Sequence, residues 1–309
     1  MLTNKAAGSF YIYGGWATSK DSADDSQFWK FTADGKGGGD WAKEAKANSD
    51  FFAGLQRSEG AAHVSTNEAG FIIGGAVVDS KPSQNLEAIR VFNFTTKTWE
   101  EERTTAYSKT GTLWGGSATF VEKYGGSGII VMLGGVESGA KAMADPGNVF
   151  FYDIAEKTWH TQATVVATNH EDEPIPWSNG CVVGIEDTGD NGSFEIFVFG
   201  GGNRERDEEM GTIHALSLPG FVWTKVSDNL SHIGNRTDHA CVTLGNNQFI
   251  SLGGLDWTGS DSRNWGIQDK LPRGIGIFNM NNHSWQDSYD AEAPKYVTHE
   301  KIRAWYKDA

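Results

Sequence analysis

The stretch Phe10-Tyr11-Ile12-Tyr13-Gly14-Gly15 joins a short apolar run to a pair of glycines. The same design returns four more times, as Phe71-Ile72-Ile73-Gly74-Gly75, Ile130-Val131-Met132-Leu133-Gly134-Gly135, Phe197-Val198-Phe199-Gly200-Gly201 and Phe249-Ile250-Ser251-Leu252-Gly253-Gly254. The first glycines of successive pairs are 60, 60, 66 and 53 residues apart. A recurring period of this length is the signature of a repeat architecture, so we expect five similar structural units.

Each repeat contains further short apolar runs around its glycine pair. A second run follows the pair, and a tryptophan comes 23 to 32 residues after the first glycine, at Trp41, Trp99, Trp159, Trp223 and Trp285. Another run precedes four of the pairs, at residues 61–65, 117–121, 181–185 and 240–244. Such runs, bounded by turn-forming residues, are typical of β-strands. The pattern therefore predicts an all-β protein with four short strands per repeat, except that the first repeat lacks its own first strand.

The glycine pair and the tryptophan each have a physical role in this pattern. Glycine adopts positive φ angles and allows close approach of neighbouring backbone at a strand end. Tryptophan is large enough to fill the wedge between adjacent sheets, where its burial stabilises the fold by about 1.5–3 kcal/mol or more. Sheets with two apolar faces must stack on one another, and radial stacking closes them into a propeller.

These residues resemble kelch repeats, whose blades carry a glycine pair on the second strand and a tryptophan on the fourth. Segments 57–63 and 236–241 each begin 17 residues before the first glycine, as the kelch first strand does. More narrowly, LSLPGFVW at 216–223 followed by 236–241 is similar to the extracellular kelch domains of fungal cell-surface proteins. The resemblance implies a single kelch-type β-propeller domain over 1–309, with four-stranded blades at about 1–50, 51–108, 109–168, 169–230 and 231–290.

The ends of the chain leave two interpretations open. Such propellers generally have six or seven blades, and residues 1–9 lack the apolar core and cleavage site of a signal peptide. The favoured interpretation is an N-terminally truncated chain whose intact form has six blades. The alternative is a five-bladed ring closed by the tail 291–309, in which 296–298 or 302–306 supplies the strand missing from the first blade.

Composition narrows the class of partner. The net charge is −14 with no basic cluster, whereas nucleic-acid and anionic-lipid binders carry basic surfaces. No stretch approaches the roughly 20 apolar residues needed to cross a bilayer, so we expect no membrane contact by this segment. The fungal proteins that the sequence resembles usually have a signal peptide and a later transmembrane helix. Since nucleic acid and lipid are disfavoured by the charge, the expected partner of this segment, which we expect to be monomeric, is a protein or a carbohydrate.

Cysteines and glycosylation sequons bear on the compartment. Cys181 and Cys241 stand at matching places in consecutive repeats, which suggests either a disulfide or two buried thiols. Thiols are favoured, because strands of neighbouring blades diverge and Cα atoms more than about 7 Å apart cannot be bridged. Sequons lie in or beside predicted turns at Asn93, Asn191, Asn229, Asn235 and Asn282. This mild excess favours a secreted or cell-surface protein.

Enzymatic motifs are weak throughout the sequence. The eight histidines do not have the spacing of a zinc site, and no cofactor is expected. Residues 296–299 resemble copper ligands of galactose oxidase, a kelch-type propeller enzyme, but neither cysteine has the matching context that such an oxidase requires. We therefore expect a non-enzymatic binding module. The alternatives are an intracellular kelch scaffold and an oxidase of the galactose-oxidase type.

The expected binding face consists of the loops after the glycine pairs and the loops between blades, which emerge on one side of a kelch propeller. They carry tryptophan and arginine, the usual anchors of interfaces. The candidates are Trp16, Arg57, Trp114, Trp177, Arg204, Arg206, Arg236, Trp257, Asp261, Arg263 and Trp265. Alternatively, the loops bury their own tryptophans, and Arg57 and Arg236 hold inter-blade loops in place. The set in the longest loop, from Trp257 to Trp265, is the best candidate for partner contact.

Overall fold

A computed structural model gives the fold for residues 1–14, 28–44, 48–55, 57–77, 84–168, 173–189, 192–203, 211–227, 236–256 and 269–308. These residues form five main β-sheets and two short α-helices, so the predicted all-β class is confirmed. The chain divides into two compact units. Unit 1 comprises Met1–Met132, Val136–Ala142 and Tyr152–His160, and unit 2 comprises Leu133–Gly135, Met143–Phe151 and Thr161–Ala309.

Sheet 1 contains the first four strands, in the order β1-β2-β3-β4. Their bounds are β1 Leu2–Asn4, β2 Ser9–Ile12, β3 Trp29–Ala33 and β4 Gly39–Lys43, and helix α1 follows at Ser49–Ala53. Strand β1 pairs antiparallel with β2, so the expectation that the first repeat lacks its own first strand is wrong. The sequence pattern missed β1 because it has three residues, of which only one is strongly apolar.

Sheets 2 and 3 have the same four-stranded organisation, each beside a small three-stranded sheet. In repeat 2 the strands are β5 Ser58–Glu59, β6 Ala62–Ser65, β7 Ala69–Ile73, β8 Ala76–Val77, β9 Gln84–Asn85, β10 Ala88–Asn93 and β11 Trp99–Arg103. In repeat 3 they are β12 Leu113–Trp114, β13 Ser117–Val121, β14 Ile129–Leu133, β15 Val136–Glu137, β16 Ala142–Met143, β17 Asn148–Asp153, β18 Thr158–Ala163 and β19 Val165–Val166. Sheet 2 has the order β11-β10-β7-β6 and sheet 3 the order β13-β14-β17-β18.

Sheets 4 and 5 and the second helix complete the described fold. The bounds in repeat 4 are β20 Cys181–Glu186, β21 Phe194–Phe199, β22 Ile213–Leu218 and β23 Val222–Ser227. In repeat 5 they are β24 Arg236–Thr237, β25 Ala240–Gly245, β26 Gln248–Leu252, β27 Leu255–Asp256, β28 Ile275–Asn279 and β29 Ser284–Gln286, followed by α2 Glu300–Asp308. Sheet 4 has the order β19-β23-β22-β21-β20, and sheet 5 the order β25-β26-β28-β29.

The repeat tryptophan occupies one register position in its sheet. It begins or lies within the last strand, directly opposite a large apolar residue of the third strand. Phe31 faces Trp41, Phe92 faces Trp99, Leu216 faces Trp223 and Phe278 faces Trp285. The predicted relation between the apolar runs and the tryptophan is therefore confirmed as a cross-strand pair, the unit that stabilises a sheet.

Packing between sheets places this tryptophan against the sheet that precedes it in sequence. In unit 1, the Trp99 ring lies 5.4 Å from Tyr13 and 5.2 Å from Phe28 of the first repeat, between ring centroids. In unit 2, the Trp285 ring of sheet 5 lies 5.0 Å from Phe199 of sheet 4. The aromatic wedge predicted from the sequence is therefore present in both units.

The C-terminal segment packs on sheet 4 within unit 2. The carbonyl oxygen of Tyr296 accepts hydrogen bonds from the backbone N–H and the hydroxyl of Thr188, at 3.0 and 2.7 Å. Residues 296–298 form no strand and 302–306 lie in α2, so neither supplies a strand to sheet 1, which β1 completes. The described part of the chain has no helix with the length and apolarity of a bilayer span.

Candidate functional site

In three repeats, the second glycine of the pair is hydrogen-bonded to the start of the following repeat. The N–H groups of Gly75, Gly135 and Gly201 donate to the carbonyl oxygens of Leu113, Trp177 and Arg236, at 2.8, 2.7 and 2.8 Å respectively. These three glycines have φ of 89°, 98° and 103°, which side chains rarely adopt. A Cβ on Gly75 would also lie 2.5 Å from the Glu59 carbonyl oxygen. Glycine is therefore required by both backbone conformation and space.

Short antiparallel pairings join the loop that enters a repeat to the loop that follows its glycine pair. In each case the segment just before the first strand of the repeat pairs with the segment just after the glycine pair. These pairings are β5 with β8, β12 with β15, β24 with β27, and an isolated bridge between Ser178 and Gly202. The post-glycine loops and the inter-sheet segments of repeats 2 to 5 therefore begin side by side.

Seven of the predicted binding residues lie outside the described residues: Trp16, Arg204, Arg206, Trp257, Asp261, Arg263 and Trp265. Two others are half-buried at the edge just described. Trp114 lies in β12 with its ring over Gly60, where a Cβ would clash with the indole. Arg57 lies directly before β5. Both positions remain partly accessible, so these side chains could contribute to a surface at this edge.

Trp177 is buried, with an exposed fraction of 3%. Its ring packs on Gly134 and meets Trp223 edge-to-face at 6.1 Å between centroids. Trp177 was predicted to contact a partner, but its side chain is not accessible in this structure, so we withdraw it from the predicted binding residues. The loop buries its own tryptophan, which is the alternative that the sequence left open.

Arg236 is also buried, and it links Gly253 to Asp269 within repeat 5. Its guanidinium donates to both carboxylate oxygens of Asp269 and to the carbonyl oxygen of Gly253. Burial raises the pKa of Asp269, but hydrogen bonds from Arg236 and from the Leu271 N–H outweigh this effect and the pKa is lowered overall. These contacts agree with the alternative interpretation of Arg236 as a residue that stabilises its own surroundings. The buried side chain is not accessible to a partner in this structure.

Two sequons can be placed in the structure. Asn282 is exposed in the turn between β28 and β29, and its Oδ1 accepts a hydrogen bond from the Ser284 hydroxyl at 2.6 Å. Asn93 is half-buried at the end of β10, and its Oδ1 accepts from the N–H groups of Thr95 and Thr96. Asn282 is the more accessible acceptor. Asn191, Asn229 and Asn235 lie outside the described residues.

Cys181 and Cys241 form a disulfide, so the preference for two buried thiols is wrong. Their Cα atoms are 5.7 Å apart, within the usual range for a bridge. The error came from treating the first strands of neighbouring repeats as diverging over their whole length. Cys181 begins β20 and Cys241 lies one residue inside β25, where these two strands are in contact.

His239 lies beside this disulfide. The ligand atoms of Cys181, His239 and Cys241 all lie within 4.8 Å of one another, and this is the one such metal-ligating group in the described residues. The imidazole meets Phe199 edge-to-face at 5.0 Å. Burial and the charge of Arg236 lower the pKa of His239 to about 3, and a hydrogen bond with the Phe199 backbone opposes this shift. The ring is therefore neutral at physiological pH.

Glu195 is a fully buried carboxyl in the middle of sheet 4. It accepts hydrogen bonds from the hydroxyls of Ser193, Ser217 and Thr298, at distances from 2.6 to 3.4 Å. Burial raises the pKa of Glu195 to about 7, although the hydroxyls of Ser193 and Ser217 oppose the shift. Through Thr298, the carboxyl stabilises the packing of the C-terminal segment on the sheet. In the sequence, Glu195 is visible only as an acidic residue inside an apolar run.

The cluster and the carboxyl were both missed by sequence reasoning. The spacing of 60 residues between the two cysteines matches the repeat period and was the available signal for the disulfide. No local motif marks His239 or Glu195, since their partners come from distant strands. The chain matches no protein-family model and no curated protein.

Proposed function

We propose that the chain is a non-enzymatic kelch-type β-propeller module, with sheets 1 to 5 as blades, that binds a protein or glycan partner through one loop face. The observation that carries this proposal is the constant geometry at the loop edge. In three repeats the second glycine donates to the start of the following repeat, while the loops that follow differ in length and sequence. Variable loops on a constant scaffold are where binding residues concentrate.

The loop after the glycine pair of repeat 5 is the proposed centre of the binding face. It carries Trp257, Asp261, Arg263 and Trp265, for which the support is the sequence alone. Tryptophan faces stack on sugar rings and fill protein pockets, and arginine adds directional hydrogen bonds. Further contact residues in this proposal are Trp16, Arg204 and Arg206, with half-buried Trp114 and Arg57 contributing at the edge.

We propose a secreted or cell-surface location, as in the fungal proteins that the sequence resembles. The five sequons support a secretory route. The Cys181–Cys241 disulfide is compatible with an oxidising compartment. Neither feature identifies the partner.

The binding face can be tested with a double variant of the whole chain. We expect Trp257→Ala/Trp265→Ala to lose binding in screens against glycan and surface-protein libraries, with unchanged thermal unfolding. Trp41→Ala is the matched control, because it removes an exposed tryptophan from sheet 1 rather than from a loop. Unchanged binding by the double variant, with unchanged stability, would exclude this loop as the site.

The location can be tested through glycosylation. Expression in a eukaryotic host with the secretory route available should add mass that endoglycosidase removes, and Asn282→Gln should remove more of it than Asn93→Gln because Asn282 is more exposed. An unmodified natural protein would favour the intracellular scaffold. Copper bound stoichiometrically to the oxidised protein would favour the oxidase instead.

A further inference from the structure

The disulfide between sheets 4 and 5 stands next to a third metal-ligating side chain. The ligand atoms of Cys181, Cys241 and His239 lie within 4.8 Å of one another. A tetrahedral zinc ion with sulfur and nitrogen bonds of about 2.0–2.3 Å holds its ligand atoms about 3.3–3.8 Å apart. Breaking the S–S bond lets the two sulfur atoms separate to that distance. The three side chains are thus already gathered within the span of one ion.

Polar groups at this place are incompletely hydrogen-bonded. The ring of His239 interacts with the Phe199 backbone, and at least one of its two buried ring nitrogens has no hydrogen-bond partner among the described residues. Ser251 lies directly opposite Cys241 in the antiparallel register, and its fully buried hydroxyl also has no partner. A buried polar group without a partner is costly, and each such group calls for an explanation. A ring nitrogen is a zinc ligand, and a hydroxyl beside a thiolate can donate to it.

We propose that Cys181, Cys241 and His239 form a redox-gated site for Zn²⁺, closed while the cysteines are a disulfide and open when they are thiols. This site is separate from the proposed loop face. A phosphine or dithiol reductant supplies two electrons, the S–S bond breaks, and each sulfur takes up one proton. Zinc then replaces the two thiol protons, which pass to solvent, and accepts the lone pair of the neutral imidazole.

The charge balance suits the buried surroundings. Two thiolates and one neutral imidazole around Zn²⁺ have no net charge, so the complex avoids the cost of an isolated buried ion. Phe199 packs against His239 at 5.0 Å between ring centroids, and Trp285 packs against Phe199 at the same distance, so the surroundings are apolar. The fourth zinc position would be taken by water or by a ligand that enters beside half-buried Cys241.

The test compares metal uptake by the oxidised and reduced whole chain. After reduction with a phosphine under anaerobic conditions, we expect about one equivalent of Zn²⁺ to remain bound through gel filtration. Co²⁺ added instead should give a thiolate-to-cobalt charge-transfer band. The oxidised protein should bind neither ion. A reduced protein that binds no metal would overturn the proposal.

Variants separate this site from adventitious binding. Cys181→Ser should abolish uptake, and His239→Ala should weaken affinity at least about tenfold. His63→Ala is the matched control, since His63 also lies on a first strand but does not belong to the described group of metal-ligating residues. Equal uptake by wild type, Cys181→Ser and His239→Ala would show that the metal binds elsewhere and would refute the site.

Reduction of the disulfide can lower the stability of the fold, so the Tm of the reduced protein is measured with and without zinc as a second readout. Zinc that binds the folded state raises Tm, by an amount that grows with the logarithm of its concentration relative to Kd. We expect zinc to raise the Tm of the reduced wild type and of reduced His63→Ala, but not that of Cys181→Ser. If the reduced protein is unfolded both with and without zinc, the proposed site does not exist.

Discussion

Sheets 1 and 4 share one strand pattern, but their repeat tryptophans have opposite environments. Trp41 of sheet 1 is 51% exposed, whereas Trp223 of sheet 4 is fully buried. In sheet 1, the Trp41 ring packs against Phe10 and Phe31 of its own sheet at 5.4 and 5.2 Å between centroids. In sheet 4, Trp223 meets Trp177 and donates its Nε1–H to the Pro146 carbonyl oxygen.

The different exposure of Trp41 and Trp223 depends on whether a segment outside the sheet packs on the tryptophan. A repeat tryptophan is covered by residues that come earlier in the chain, as Trp99 is by Tyr13 and Phe28. Trp41 packs instead on rings of its own sheet. Every residue of β21 and β22 is buried, whereas every residue of β4 is exposed. The same side chain therefore contributes differently to stability according to whether another segment covers it.

Removing the buried tryptophans should have the largest effect. Trp223→Ala and Trp99→Ala should each lower the free energy of unfolding by about 3–5 kcal/mol, because each leaves a large cavity. Half-buried Trp159→Ala should cost less. Chemical denaturation monitored by circular dichroism measures these changes. A loss below about 1 kcal/mol for Trp223 would mean that the wedge does not support sheet 4.

The pH dependence of stability should come in part from sheet 4. Burial raises the pKa of Glu195 to about 7, above its ordinary value near 4.5. The folded state therefore holds this proton more tightly than the unfolded state. Stability from this group is present below pH 4.5 and is lost as the pH rises through about 7, by up to about 3 kcal/mol.

Glu195→Gln tests this dependence, because the amide has no charge to bury. The fall in unfolding free energy between pH 4.5 and 8 should be smaller in the variant than in the wild type. Urea denaturation at several pH values gives this comparison. An identical fall in both proteins would show that Glu195 does not titrate in this range.

A smaller effect should come from crowding the buried face of sheet 1. A Cβ on Gly70 of β7 would lie 2.6 to 2.8 Å from three atoms of the buried Leu2 side chain. Gly70→Ala should therefore cost about 1–3 kcal/mol by overpacking. Combining it with Leu2→Ala should cost less than the sum of the single changes, since the alanine methyl enters the space that Leu2 leaves. A simple sum in the double-mutant cycle would contradict this contact.

Trp41→Ala should have the smallest effect. The residue is more than half exposed, so we expect a loss of about 1 kcal/mol or less in unfolding free energy. The measurement is the same denaturation curve used for Trp223→Ala. A loss as large as that of Trp223→Ala would break the comparison, because it would mean that the outer face of sheet 1 is covered in solution.

The sequence predicted most strands to within a few residues. The run 117–121 coincides with β13, and 61–65 differs from β6 by one residue. The short strand β1 and helix α1 were missed, because two or three apolar residues give no readable period. For the candidate site residues, the sequence did not predict side-chain accessibility reliably. A tryptophan in a loop was expected to lie at the surface, yet Trp177 is buried.

By itself, the sequence determined the repeat, the four-strand pattern and the register of the tryptophan, because these depend on contacts between residues close in the chain. Only the tertiary structure decided which tryptophans are covered, that Arg236 pairs with Asp269, and that Cys181 is bridged to Cys241 beside His239. Each of these depends on residues brought together from distant strands or loops. Packing at such distances leaves no local pattern, so it appears only when the sheets are assembled.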